Sequence, residues 1–202
     1  EEDRFETHGW SELLDSAMRG EWGAEDAALR IFPTPAMVLI DVDGSLPPAQ
    51  LGPKGAKLAA QAIRALGLTG NIGIDLPTMN NKDERAIAAA QIDKLLPLPF
   101  ERTAVNGFGF IQIIRKRERA SLIESLREDP VLSAAMALLR LAERAQGAGP
   151  AGGGAVTLSA NPAVIDRIHR TPDWIARLEK RRGGQVTLKL DASLAIGSHH
   201  AG

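Results

Sequence analysis

Two short apolar runs, MVLID (37–41) and NIGID (71–75), each end in an aspartate, and a helix-patterned segment lies between them. Leu58, Ala59, Ala62, Ile63 and Leu66 fall on one face of a helix expected over 54–66, after a loop read as GSLPPAQLGPKG. Strand, helix and strand in that order make a βαβ crossover, which is almost always right-handed and leaves its strands parallel. Asp41 and Asp75 would then sit at the carboxyl ends of their strands and, if the strands are neighbours, roughly 5 Å apart across the sheet. In open α/β sheets that is the edge where ligands bind.

The pattern extends on both sides of this unit. Upstream, Trp10, Leu13, Leu14, Ala17 and Met18 mark an amphipathic helix, and ALRIF (28–32) reads as extended. Downstream, NNKDERAIAAAQIDKLL (80–96) is helical with Ala88, Ile92, Leu95 and Leu96 as its apolar face, and GFGFIQIIRK (107–116) reads as a third strand. Two more helices follow, the second opened by Asp129-Pro130 as N-cap and first-turn pair. QGAGPAGGG (146–154) is glycine-rich linker sequence. Beyond it AVTLS, two helices opened by Asn161-Pro162 and Thr171-Pro172, and the alternating QVTLKL give a βααβ pattern. The expected architecture is α/β, a mixed sheet with flanking helices over 1–145, then the linker and a small α+β βααβ domain over 155–202.

Composition narrows the classes. At 44% hydrophobic and 24% charged residues the chain is too apolar for disorder, and no apolar segment approaches the ~20 residues of a membrane span. There is no cysteine, so disulfides and thiolate metal sites are excluded, and a cytoplasmic location is expected. The chain opens EEDRFETHGW without a methionine, which is read as the start of a fragment. A net charge of −1 names no partner, but IRKRERA (114–120) and EKRRGG (179–184) are compact basic runs. Such runs are commonly solvated faces, and a local patch of this kind can also bind phosphate.

Two carboxylates so close repel, and a divalent cation removes the conflict; hard oxygen ligands select Mg²⁺ or Mn²⁺. Asp43, two residues past Asp41, would face the same way in extended backbone. An aspartate before a glycine is also an ordinary turn-maker. LIDVDGSL further matches the first motif of haloacid-dehalogenase-type phosphatases, with Asp41 as nucleophile and Asp43 as general acid/base. That family's second strand ends in Ser or Thr, where NIGID ends in Asp75, and no later GDxxxD-type acidic pair occurs.

Taken in order, MVLIDVDG, NIGIDLPTM with NNKDERAI, and NGFGFIQIIRKR resemble the carboxyl-terminal half of the catalytic region of the ribonuclease E/G family. VLSAAMALLRLAERA, AVTLSANPAVIDRI and WIARLEKRRGGQVTLKLD look like the small domain that follows it there. The resemblance implies a deoxyribonuclease-I-like subdomain and magnesium-dependent endonucleolytic cleavage of single-stranded RNA, leaving a 5′-phosphate and a 3′-hydroxyl. Asp41 and Asp75 match its metal-binding aspartates, and Asp43 a position that supports the attacking water. A non-catalytic RNA- or protein-binding member is the alternative it leaves open.

The chain also departs from that pattern. Zinc is not expected, because the family's Cys-containing zinc segment is absent, so any homo-oligomer would not be zinc-linked. An amino-terminal half with an S1-type RNA-binding domain is expected in the full protein. Lys82, Arg85, Arg102, Arg115, Lys116 and Arg117 follow or flank strand ends and are the expected phosphate contacts. Phe108 is the first candidate for base stacking; Phe110 is weighed beside it, with a core role expected for at least one of the two. His8 and His169 are read as surface or packing residues, and His199 and His200 as tail.

Overall fold

The computed structural model describes residues 3–24, 26–145 and 154–201. The chain divides into two compact units, Glu1–Leu126 and Arg127–Gly202.

In the first unit the helices α1 (Arg4–Thr7) and α2 (Trp10–Arg19) precede β1 (Glu21–Ala24), β2 (Ala27–Pro33) and β3 (Val38–Asp43). Then come α3 (Pro48–Ala65), β4 (Gly70–Asp75), α4 (Lys82–Leu95), β5 (Glu101–Arg102), β6 (Phe110–Arg115) and α5 (Leu122–Glu128). The six strands form one sheet in the order β1-β2-β3-β4-β6-β5. Only β3 and β4 pair in parallel, as the crossover rule requires; the other neighbours are antiparallel. The expected α/β class, a mixed sheet with flanking helices, is what the chain adopts.

The strands alternate, except that Gly73 of β4 is buried between Ile72 and Ile74. Ala27, Leu29 and Ile31 on β2, Ile40 and Val42 on β3, Ile72 and Ile74 on β4, and Ile111 and Ile113 on β6 are buried in one core with the apolar faces of α3 and α4. The residues between them point to the other side. That side is only partly covered, with Phe32 50% and Ile114 49% exposed.

Helix α3 starts at Pro48, six residues earlier than the sequence suggested, because Pro48 takes the first helical turn, where its missing N–H costs nothing. Pro53 lies inside the same helix, so GSLPPAQLGPKG is largely helix and only its first residues are loop. Its glycines serve packing: a Cβ on Gly55 would stand 2.3 Å from Val42 Cγ1, and one on Gly52 would stand 2.5 Å from Met79 Sδ. The helix therefore seats closely on the edge that carries Asp41. Helix α4 is capped by Asn81, whose side chain accepts from the Glu84 amide at 2.9 Å.

The second unit contains α6 (Pro130–Arg144), β7 (Val156–Ala160), α7 (Pro162–His169), α8 (Pro172–Arg182), β8 (Val186–Leu190) and β9 (His199–Ala201). The parallel β7–β8 pair is the expected βααβ pattern, and β9 adds an antiparallel third strand beside β7, so 199–201 is not a loose tail. Helix α6, placed by the sequence with the first region, buries Ala134, Ala135, Leu138 and Ala142 in the core of the second unit. The boundary thus falls at 126/127 rather than after 145. Most of the expected linker, 146–153, lies outside the described residues. Among the described residues no helix is long and apolar enough to cross a membrane.

Candidate metal and nucleic-acid site

The register of the parallel pair sets Asp41 directly beside Asp75. Strands in a sheet lie about 4.8 Å apart, so the two carboxylates start from neighbouring positions on the same face, the one turned away from α3 and α4. Hydrophobic burial fixes that orientation. Ile40 and Val42 flank Asp41 and are buried, as is Ile74 before Asp75, so the acids must turn outward.

Asp43 lies on the same face at the end of β3, opposite Ala28. Its Oδ1 accepts a hydrogen bond from the Gly44 amide at 2.8 Å, which is the turn-making role. The expected convergence of three carboxylates is not formed: among the described residues no group of three Asp, Glu, His or Cys side chains is placed to hold a metal. Two adjacent carboxylates remain, those of Asp41 and Asp75, as a candidate donor set. It suits Mg²⁺, which is commonly held by one or two carboxylates at about 2.1 Å and keeps several waters.

Three further expected residues share this rim. Phe108 is 82% exposed in a turn that Asn106 organises, its Oδ1 accepting from the amides of Phe108 (2.9 Å) and Phe110 (3.0 Å). The turn is tied to the segment after Asp75 by the Leu76 amide donating to Gly109 O and by the Thr78 hydroxyl donating to Phe108 O. Gly109 has φ +95°, and a Cβ there would stand 2.1 Å from Leu76 O, so only glycine permits the approach. Lys82 and Arg85 lie in the opening turns of α4, which begins seven residues beyond Asp75 in the chain, with Arg85 Nη1 donating to Met79 O at 3.2 Å.

The remaining cations are elsewhere. Because β6 runs antiparallel to β4, Phe110 faces Asp75 while Arg115 faces Gly70. Arg115, Lys116 and Arg117 therefore lie at the opposite rim, about 17 Å away along the strand. Arg115 donates to Leu68 O at 2.9 Å and Arg117 pairs with Glu124 at 3.0 Å. Arg102 turns to the helix side and clasps Asp93 through Nε at 2.7 Å; that hydrogen bond holds the Asp93 carboxyl below its ordinary pKa, against the opposing pull of burial. In the second unit Arg181 pairs with Glu143 at 2.8 Å, and Arg182 donates to the carbonyls of Ala142 and Ala145 at the end of α6. Most of the side chains in both basic runs thus have structural partners.

Sequence reasoning missed Arg30. It is the register partner of Asp41 on β2, exposed on the same face, with Glu21 of β1 on its other side. Its signal was the alternation in ALRIF, but only the register of the β2–β3 hairpin puts it beside Asp41. Phe110 is on the open face too, so neither it nor Phe108 joins the helix-side core.

No protein-family model matches the chain, and comparison with curated proteins finds no significant match.

Proposed function

We propose that the chain is a magnesium-dependent endoribonuclease of the ribonuclease E/G type, with a deoxyribonuclease-I-like first unit, hydrolysing phosphodiesters in single-stranded RNA. The observation that carries this reading is the in-register pair Asp41–Asp75 on the face of the sheet turned away from α3 and α4. Supporting it is the charge of their rung: Glu21 is met by Arg19 at 3.7 Å, which leaves the adjacent Asp41 and Asp75 beside Arg30.

Asp41 and Asp75 would hold Mg²⁺ or Mn²⁺. Such an ion supplies polarisation of the phosphodiester and a bound water of lowered pKa. Asp43, one carboxylate oxygen committed to Gly44, would orient water through the other. Lys82 and Arg85 would meet neighbouring phosphates, and Phe108 would offer its exposed ring to a base. Arg102, Arg115, Lys116 and Arg117 are too far away or otherwise engaged to act at the reacting phosphate. The phosphatase alternative needs a hydroxyl side chain where this sheet places Asp75.

The test is cleavage of labelled single-stranded RNA in Mg²⁺. EDTA should abolish it, and Asp41→Asn or Asp75→Asn should lower it about a hundredfold or more, since a metal supplies several kcal/mol of transition-state stabilisation. A normal rate in either folded variant refutes the metal assignment. A non-catalytic binding role is the second reading, favoured by the absence of a three-carboxylate cluster among the described residues. It predicts salt-sensitive RNA binding with no cleavage at any magnesium concentration.

A further inference from the structure

Resting on the nuclease reading above, we infer that the open face carries a track for single-stranded RNA running across the β-strands. Arg30 holds a phosphate on one side of the aspartate pair, and the Phe110 ring stacks a base on the other. The registers place Arg30, Asp41, Asp75 and Phe110 in a single rung across β2, β3, β4 and β6. The rung spans three strand spacings, about 14 Å between its end Cα atoms. A cation, a metal-binding pair and an aromatic ring therefore follow one another in a line, which suits a phosphate, a reacting phosphate and a base of one strand.

Arg30 is available for that duty. It is exposed, and among the described residues it closes no ion pair with either acidic neighbour. Phe110 is presented as a platform by Gly73. A Cβ on Gly73 would stand 2.6 Å from Phe110 Cζ and 3.1 Å from Leu39 Cδ2, so the ring tip lies down over the bare backbone with Leu39 beside it. The ring is half-buried, leaving part of its surface to a ligand. An aromatic held against a sheet is a sequence-tolerant stacking surface, because every base has a π-face.

The rung also chooses between occupants. An apolar protein surface laid on this face would bury three carboxylates and a guanidinium at a large desolvation cost. A polyanion bridged by a divalent cation and by Arg30 instead neutralises them.

The experiment is fluorescence anisotropy of a short labelled oligouridylate with the full chain, using Ca²⁺ in place of Mg²⁺ to restrain cleavage. Phe110→Leu, which keeps Gly73 covered but removes the π-face, should weaken binding about tenfold, and Phe110→Trp should restore it. An abasic strand of equal length should be indifferent to both changes. Arg30→Gln should reduce the slope of log affinity against log salt by about 0.7, while Arg30→Lys keeps it. Wild-type affinity and slope in Phe110→Leu and Arg30→Gln overturn the track, as does failure of the wild-type chain to bind. Sedimentation showing a dimer that these variants dissolve would also overturn it, by giving the face to a second copy. Cleavage that depends on Asp41 but ignores both positions sinks the track and spares the nuclease reading. Binding with the expected sensitivities in a chain that never cleaves does the reverse.

Discussion

Ile31, Ile40, Ile74 and Ile111 form one rung of the six-stranded sheet and are at most 2% exposed beneath the helices. The next rung, facing the other way on the same four strands, is Arg30, Asp41, Asp75 and Phe110. The contrast separates a rung that leaves water on folding from one that stays at the surface. The isoleucine rung gains its stability by leaving water, and that burial aims the alternate residues outward. The charged rung adds little to stability, and two like charges side by side oppose it. Aspartates placed so on an otherwise well-packed sheet point to a ligand.

Variants on the two rungs should separate stability from activity. Ile74→Ala should cost about 2–5 kcal/mol in urea unfolding, because it opens a cavity among close-packed isoleucines. Asp75→Asn, one residue away, should change stability by no more than about 0.5 kcal/mol while removing cleavage. If Asp75→Asn destabilised as much as Ile74→Ala, the functional reading of the open face would fail.

Gly55→Ala sharpens the contrast from the helix side. Its Cβ would meet Val42 Cγ1 at 2.3 Å, so α3 must shift, at about 1–3 kcal/mol. Because Val42 lies between Asp41 and Asp43, RNA cleavage should fall as well. Retained activity at reduced melting temperature would show that the helix seat does not position the aspartates.

Asp129→Ala tests a carboxylate in the second unit that has a purely structural duty. Its Oδ1 accepts from the Leu132 amide at 2.8 Å at the start of α6, and its Oδ2 pairs with Arg167 at 3.3 Å. Loss of the cap should cost about 1 kcal/mol with no effect on RNA cleavage.

The smallest effect belongs to Asp93→Asn. The hydrogen bond from Arg102 lowers the Asp93 pKa from an ordinary 3.8, so the native state favours the charged form. That contribution is complete above the unfolded value and disappears as pH falls through the depressed folded one. Both partners are partly exposed, which limits it to a few tenths of a kcal/mol. Unfolding at pH 7 and at acid pH should show a flatter acid limb in the variant, and an identical limb would refute the pairing.

Much of the fold could be read from residues alone. The parallel direction of the strands ending in Asp41 and Asp75 followed from a crossover rule that depends only on the order and length of adjacent segments; their register came from the structure. Arg30 could not be found that way. Its placement depends on the β2–β3 hairpin, whose connection is closed by Thr34 and Met37 hydrogen-bonding to each other. Nor could the fate of IRKR, which looked like a phosphate grip until the antiparallel direction of β6 carried it to the far rim. Helix α6 was assigned to the wrong neighbour for a related reason: an apolar stripe states that a face will be buried, not against which core.

The sequence by itself determined the order of strand, helix and strand that makes the two aspartate-ended strands parallel, and the lack of thiol chemistry. These are local properties, fixed by composition and chain connectivity. MVLID reads as apolar on both faces, and it was the structure that opened one of them. Tertiary structure alone decided that Arg30 stands in register with Asp41, that Gly73 leaves room for the tip of the Phe110 ring, and that Asp43 turns back to Gly44. Those outcomes depend on strand direction and register between segments distant in the chain, which no short stretch of residues encodes.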